Sequence, residues 1–304
     1  MLDRYVAQVR LLLSVLPDIA TETVFALKGG TAINLFYRDM PRLSVDVDLT
    51  YLPVADRQSS LEDMDDAFSR IVAAITERNP RVKARRIAGG GDNDTRIMVS
   101  DGSAQIKIET SPVTRGAVYP ARTMVASETV TEQFGFVETN VLAFEDLYGS
   151  KLHAALDRQH PRDLFDVKLL YEHEGLTDGL FRVFMVYVAS SGRPMHELLA
   201  PARPYREDLY DGEFSGMTRE TVSRNSLADT GRRLHADIKS RLKDEVANFL
   251  LSLHDAAPDF GLIGLPDAGG LPAVRWKLIN LEKLKQADPE KHAVQRRALE
   301  NLFE

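Results

Sequence analysis

No cysteine occurs in the 304 residues, so the chain has no disulfide framework, no thiolate zinc site, no Fe–S cluster and no cysteine nucleophile. Any metal must sit on carboxylates or imidazoles. The seven histidines show neither HExxH nor His-x-x-x-His spacing, so no zinc site is expected. Long hydrophobic runs are missing too. The apolar stretch in MLDRYVAQVRLLLSVL is broken by Asp3, Arg4 and Arg10 and followed by Asp18, which is not the layout of a signal peptide. No run approaches the roughly 18 residues of a membrane span, so the expected location is the cytoplasm, with no membrane partner. Nor is there an excess of positive charge. The 38 basic against 45 acidic residues give −7, which argues against broad coating of nucleic acid but leaves room for a local basic patch. Internal repeats and low-complexity tracts are absent as well.

What is present is an ordinary globular composition, 44% hydrophobic and 27% charged, which excludes collagen-like and disordered classes. The length suits two domains or one large one. Periodicity divides the chain near residue 140, with mixed alternating and helical stretches before it and long helical patterns after it. The expected fold is α+β, a mixed-sheet domain over residues 1–140 followed by a mostly helical domain over 141–304.

In the first part, Val24 to Leu27 reads as a short strand, Lys28-Gly29-Gly30 as a turn and TAINLFYR as a short helix. In LSVDVDLTY, Leu43, Val45, Val47, Leu49 and Tyr51 alternate with Ser44, Asp46, Asp48 and Thr50, the period of a strand with one polar face. Residues 61 to 77 carry an amphipathic helix. RVKARRIA, TRIMVS and AQIKIET, separated by the turn signals GGGDND and DGS, read as three antiparallel strands. In the second part, helices are expected over FEDLYGSKLHAALDR, from Arg162 to the Gly175 stop, and around 177–190, 228–254, 274–286 and 289–303, with an irregular loop over 200–226.

Asp46 and Asp48 share one strand face, because a two-residue step returns the side chain to the same side. Two adjacent carboxylates repel each other unless a cation lies between them, and hard Mg²⁺ prefers such oxygens. A bare Asp-x-Asp is also what a solvent-facing strand can carry. Its neighbours change the weighting. Glu109 becomes a third carboxylate if its strand pairs beside that of Asp46, and Gly29-Gly30 opening a helix allows close backbone approach to a phosphate. Together these features describe a phosphoryl-transfer site. Basic groups at Arg81, Lys83, Arg85 and Arg86, and at Arg232, Arg233, Lys239, Arg241 and Lys243, read as solvated faces or as RNA-phosphate contacts; Arg38 and Arg42 flank the site.

KGGTAINLFYRDMPRLSVDVDLTY resembles the first motif of the DNA polymerase beta superfamily of nucleotidyltransferases, and specifically of the AbiEii/AbiGii toxin family. KLHAALDRQHPRDLFDV resembles that family's Lys helix followed by an Arg-Asp-x-x-Asp helix. The likeness covers about residues 20 to 230. The resemblance implies a growth-inhibiting toxin, of a type IV-like toxin–antitoxin or phage-defence system, that moves NMP from an NTP to an acceptor. In relatives that acceptor is the 3′ end of tRNA; other branches of the superfamily modify small molecules such as aminoglycosides, or proteins, and a non-catalytic nucleotide-binding module is the remaining alternative. The implied cofactor is Mg²⁺, with Mn²⁺ as a substitute, and the implied partners are NTP, an RNA acceptor and a cognate antitoxin. The implied catalytic residues are Asp46, Asp48, Lys151 and Asp166. Metal ligands would be Asp46, Asp48 and Glu109, and nucleotide contacts Gly29, Gly30, Thr31, Arg42, Ser44 and Lys151. Asp163 is expected to orient Lys151 or Arg162.

Overall fold

The computed structural model describes residues 3–87, 95–200 and 205–304. The GGGDND turn lies outside these residues. Strands are β1 (Phe25–Lys28), β2 (Asp46–Tyr51), β3 (Lys83–Ile87), β4 (Arg96–Ser100), β5 (Gln105–Thr110), β6 (Arg122–Val125) and β7 (Glu138–Val141). They form one mixed sheet in the order β3-β4-β5-β2-β1-β7-β6. The alternation that marks the strand with two aspartates puts it in the middle of that sheet. Val47, Leu49 and Tyr51 are buried, and β2 is hydrogen-bonded on both sides, antiparallel to β1 and parallel to β5. The three strands expected after the first long helix are β3, β4 and β5, joined antiparallel.

The first helix, Asp3–Ala20, buries Val9, Leu12, Leu13 and Leu16 and packs on β5 and β7. Beside it, Arg57–Arg78 packs on β3 and buries Met64, Phe68, Ile71 and Ile75. Its start is set by Asp56, whose carboxylate accepts from the Ser59 N–H at 3.0 Å and so satisfies an orphan donor of the first turn. β3 is an edge of the sheet, and its exposed Lys83 and Arg85 discourage pairing with another strand. Arg86 of the same strand pairs with Asp65 of the helix.

Three features differ from the sequence reading. The strand expected over 43–51 begins only at Asp46, because the Leu43 N–H is given to the Met217 carbonyl at 2.9 Å and Arg42 bridges to Thr218. The helix after Gly29-Gly30 is one α-turn, Gly29–Ala32, that widens into a π-helix over Ile33–Tyr37. The helix expected over 228–254 is two, Arg224–Arg241 and Asp244–His254, parted at Leu242 and Lys243 where no Gly or Pro marks a stop. Within the described part of 200–226, residues 207–213 form a short helical turn.

The chain divides into two units, residues 1–147 with 215–221, and residues 148–214 with 222–304. The first holds the whole sheet. In the second, all regular elements among the described residues are helical; the longer ones are the remainder of Phe144–Arg158, then Pro161–Glu172, Asp178–Ala189, Arg224–Arg241, Asp244–His254, Pro272–Ala287 and Pro289–Glu300. No helix among the described residues is long and apolar enough to cross a membrane.

One buried charge holds the first unit's far loop. Asp146 is fully buried, and its two carboxylate oxygens accept from the Val118 and Tyr119 N–H groups, each at 2.9 Å. Asp146→Ala removes the partner of two part-buried donors, each of which would cost about 1–3 kcal/mol if it were fully buried. We expect a loss of about 2–4 kcal/mol in urea unfolding, with Asp146→Asn intermediate because one oxygen remains.

Candidate active site

Gly29 ends the β1 turn at φ +73°, in the left-handed region that glycine tolerates and other residues adopt at a cost. Its backbone lies against the β2 aspartate. A Cβ at this position would come within 2.4 Å of the Asp48 Oδ2, so any side chain there would have to displace that carboxylate. At Gly30 a Cβ would meet the Arg42 Nη2 at 2.5 Å and the Ser44 Oγ at 2.9 Å. The two glycines thus let Asp48, Arg42 and Ser44 crowd against one stretch of bare backbone. One long-range and one local hydrogen bond lock this stretch: the Thr31 hydroxyl donates to the Asp46 carbonyl and the Asn34 amide donates to the Gly30 carbonyl. Arg42 is buried and gives its Nη1 to the Leu43 carbonyl at 3.0 Å.

Asp46 and Asp48 are both half-buried on the same face of β2. β5 pairs beside β2 with Glu109 opposite Asp48 and Lys107 opposite Asp46. Glu109 therefore stands in the row with the aspartates, but its carboxylate is held by Arg96 and Lys107, each at 3.0 Å. Burial pushes this carboxyl up, and the two cations outweigh it and hold it below the usual glutamate range. Among the described residues no group of three or more His, Asp or Glu is arranged as a metal site. The pair Asp46 and Asp48 nevertheless fits a hard cation that keeps water and takes its remaining ligands from substrate phosphates, since Mg²⁺ is commonly bound by one or two carboxylates.

The second cluster belongs to the helical unit. Asp163 and Asp166, three apart on Pro161–Glu172, project from one side of that helix and are fully buried. The Lys151 Nζ lies 2.8 Å from the Asp163 Oδ1 and 3.0 Å from the Asp166 Oδ2. Arg158, which the sequence reading did not single out, closes the arrangement with a two-pronged pair to Asp163. Its only sequence signal is a position two turns after Lys151 on the same helix. Arg162, by contrast, pairs with Glu213. Burial pushes the Asp163 carboxyl up, but Lys151 and Arg158 together hold it well below the usual carboxylate range. Gly29, Gly30, Thr31, Arg42, Ser44, Asp46, Asp48 and Glu109 thus lie in the first unit, and Lys151 and Asp166 in the second.

Gly29→Ala should cost about 1–2 kcal/mol from its left-handed backbone alone and displace Asp48. Nucleotide transfer should then fall far more than the unfolding midpoint shifts, and equal fractional losses of the two would contradict the close approach. Asp163 gives an acid signature. Because its folded-state pKa is depressed, its contribution is complete above the unfolded value of about 3.9 and is lost as pH falls below it. Asp163→Asn should be less stable at neutral pH and show a flatter stability decline in acid, read from urea midpoints across the acid range.

A family profile described as "Nucleotidyl transferase AbiEii toxin, Type IV TA system" matches residues 10–280. No curated protein matches the sequence. Among solved structures, MenT4, a nucleotidyltransferase toxin from Mycobacterium tuberculosis, shares the fold at a TM-score of 0.59 and 16% identity, over 92% of this chain and 97% of its own. With nearly nine-tenths of its length inside the family match, the chain belongs to the AbiEii family of nucleotidyltransferase toxins.

Proposed function

We propose that the protein transfers a nucleoside monophosphate from an NTP to an RNA acceptor, the 3′ end of tRNA, and that it uses Mg²⁺ or Mn²⁺ held by Asp46 and Asp48. The observation that carries this reading is the pair Asp46 and Asp48 on one face of β2, with the bare backbone of Gly29 packed against the Asp48 carboxylate. A protein that only bound a partner would gain nothing from two carboxylates on one strand face beside a glycine turn. A bound cation would supply charge neutralisation at the phosphoryl oxygens. The chain's own groups do the rest. Gly29 and Gly30 admit the phosphates, Ser44 donates to a phosphate oxygen, and Arg42 adds a fixed positive charge beside Gly30.

Lys151 is the point charge we assign to the triphosphate, with Asp166 acting beside it. Its ammonium has three donors and two carboxylate neighbours, so Asp163 and Asp166 hold it in one place and leave capacity for a third acceptor. Attack by an acceptor hydroxyl on the α-phosphorus then releases pyrophosphate, whose developing charge meets preorganised cations. The toxin family implies a cognate antitoxin as the remaining partner.

The test is incubation with each labelled NTP, Mg²⁺ and total tRNA. Label should enter tRNA, and Asp46→Asn or Asp48→Asn should reduce incorporation by at least about 100-fold, about 2.7 kcal/mol, with the fold intact by circular dichroism. Parental rates in both variants, or label that never enters RNA, would overturn the reading.

A further inference from the structure

Lys277 is almost fully buried in the helical unit, at 6% exposure. It sits on helix Pro272–Ala287, and its Nζ donates to the Arg193 carbonyl at 2.6 Å. That single neutral acceptor contrasts with Lys151, which has two carboxylates. Burying an ammonium is costly unless an opposite charge and a full set of acceptors compensate it. Among the described residues no carboxylate pairs with Lys277, and burial alone draws its pKa down to about 8, so it still carries its charge at neutral pH.

The same lysine lines a cavity of about 160 Å³. Its wall is unusual for a chain with more acidic than basic residues: Lys277 and Lys291 contribute to it, with Ser191, Asn280 and Gln295 as hydrogen-bonding groups, and no Asp or Glu. The remaining surface is largely apolar and includes Trp276, half of which is exposed to solvent. A cavity of about 150 Å³ is large enough for a benzene-sized body. It is too small for a nucleotide triphosphate, and small-molecule sites of this type combine apolar walls with a few placed polar groups.

We propose that this cavity binds a small organic anion, a carboxylate or phosphate monoester on a compact apolar body, with Lys277 as its counter-ion and Trp276 against its body. The bound anion supplies the charge that the protein withholds from Lys277. This site is carried by residues of the helical unit alone and does not depend on the assignment of Asp46 and Asp48.

Trp276 is the only tryptophan in the chain, so its fluorescence reports on this cavity without interference. The full-length protein is titrated at neutral pH and constant ionic strength with benzoate, with phenyl phosphate, with inorganic phosphate and with neutral benzamide. Benzoate or phenyl phosphate should give a saturable change, and benzamide should bind at least about tenfold more weakly. Inorganic phosphate alone separates an anion-only site, which would respond to it equally, from one that also needs the apolar body. Lys277→Met, which keeps an unbranched apolar stem, should weaken anion binding by at least tenfold while raising the melting temperature. Lys291→Ala, at an exposed position, should weaken it less. Equal responses to benzoate and benzamide in the parent protein, or parental anion affinity in Lys277→Met, would overturn the proposal. If Lys277→Met does not fold, the parent titrations decide by themselves.

Discussion

The close approach of the Gly29 backbone to the Asp48 carboxylate is the constraint on which the first unit's chemistry depends. It requires a residue with no Cβ and with a left-handed backbone, and it requires β2 to lie still beneath it. Both demands are met by placing β2 in the interior of the sheet, where ladders on both sides hold its register. An edge strand could twist or slip, and a slip of one residue would turn both aspartates away to the opposite face. Segment 215–221 adds a second fixation, because its backbone pairs with 41–43 and so positions Arg42 and Ser44 beside Gly30.

The helical unit treats buried charge in two ways. Around Asp163 two carboxylates face an ammonium and a guanidinium, so formal charge balances. Such a cluster adds little net stability relative to apolar packing, yet losing one member exposes the others to an uncompensated interior. What it does provide is a lysine of fixed position. Lys277 is the opposite case, a buried ammonium whose only hydrogen bond among the described residues is to a carbonyl. A protein selected for stability alone would place an apolar residue there, which is why an unfilled electrostatic need and an acid-free cavity point the same way.

At 16% identity the shared fold with MenT4 reflects pattern more than residue identity. Alternation, apolar spacing and turn residues suffice to specify layers and order, since many apolar residues fill a given core position equally well. Positions that do chemistry are less replaceable. Those to which we assign chemistry here are few: a glycine pair, two strand aspartates, and a lysine with its acidic neighbours.

The sequence by itself determined the fold class, the strand carrying Asp46 and Asp48, the hairpins of β3 to β5, and the Lys151 and Arg-Asp-x-x-Asp helices, because each is written in local periodicity or in a short contiguous motif. It also determined the adjacency of Glu109 and Asp48 as a possibility that strand pairing had to settle. The strands β6 and β7 were not legible, as each has only four residues and little alternation. Neither was the break at Leu242, which no glycine or proline marks, nor the pairing of 41–43 with 215–221 across a separation of more than 170 residues. Tertiary structure alone decided that Glu109 is held by Arg96 and Lys107, that Arg158 joins Asp163, and that Lys277 is buried with no counter-charge among the described residues. These are matters of which distant side chains meet and how much water is excluded around them, and both depend on the packed chain in three dimensions, beyond the reach of spacing along it.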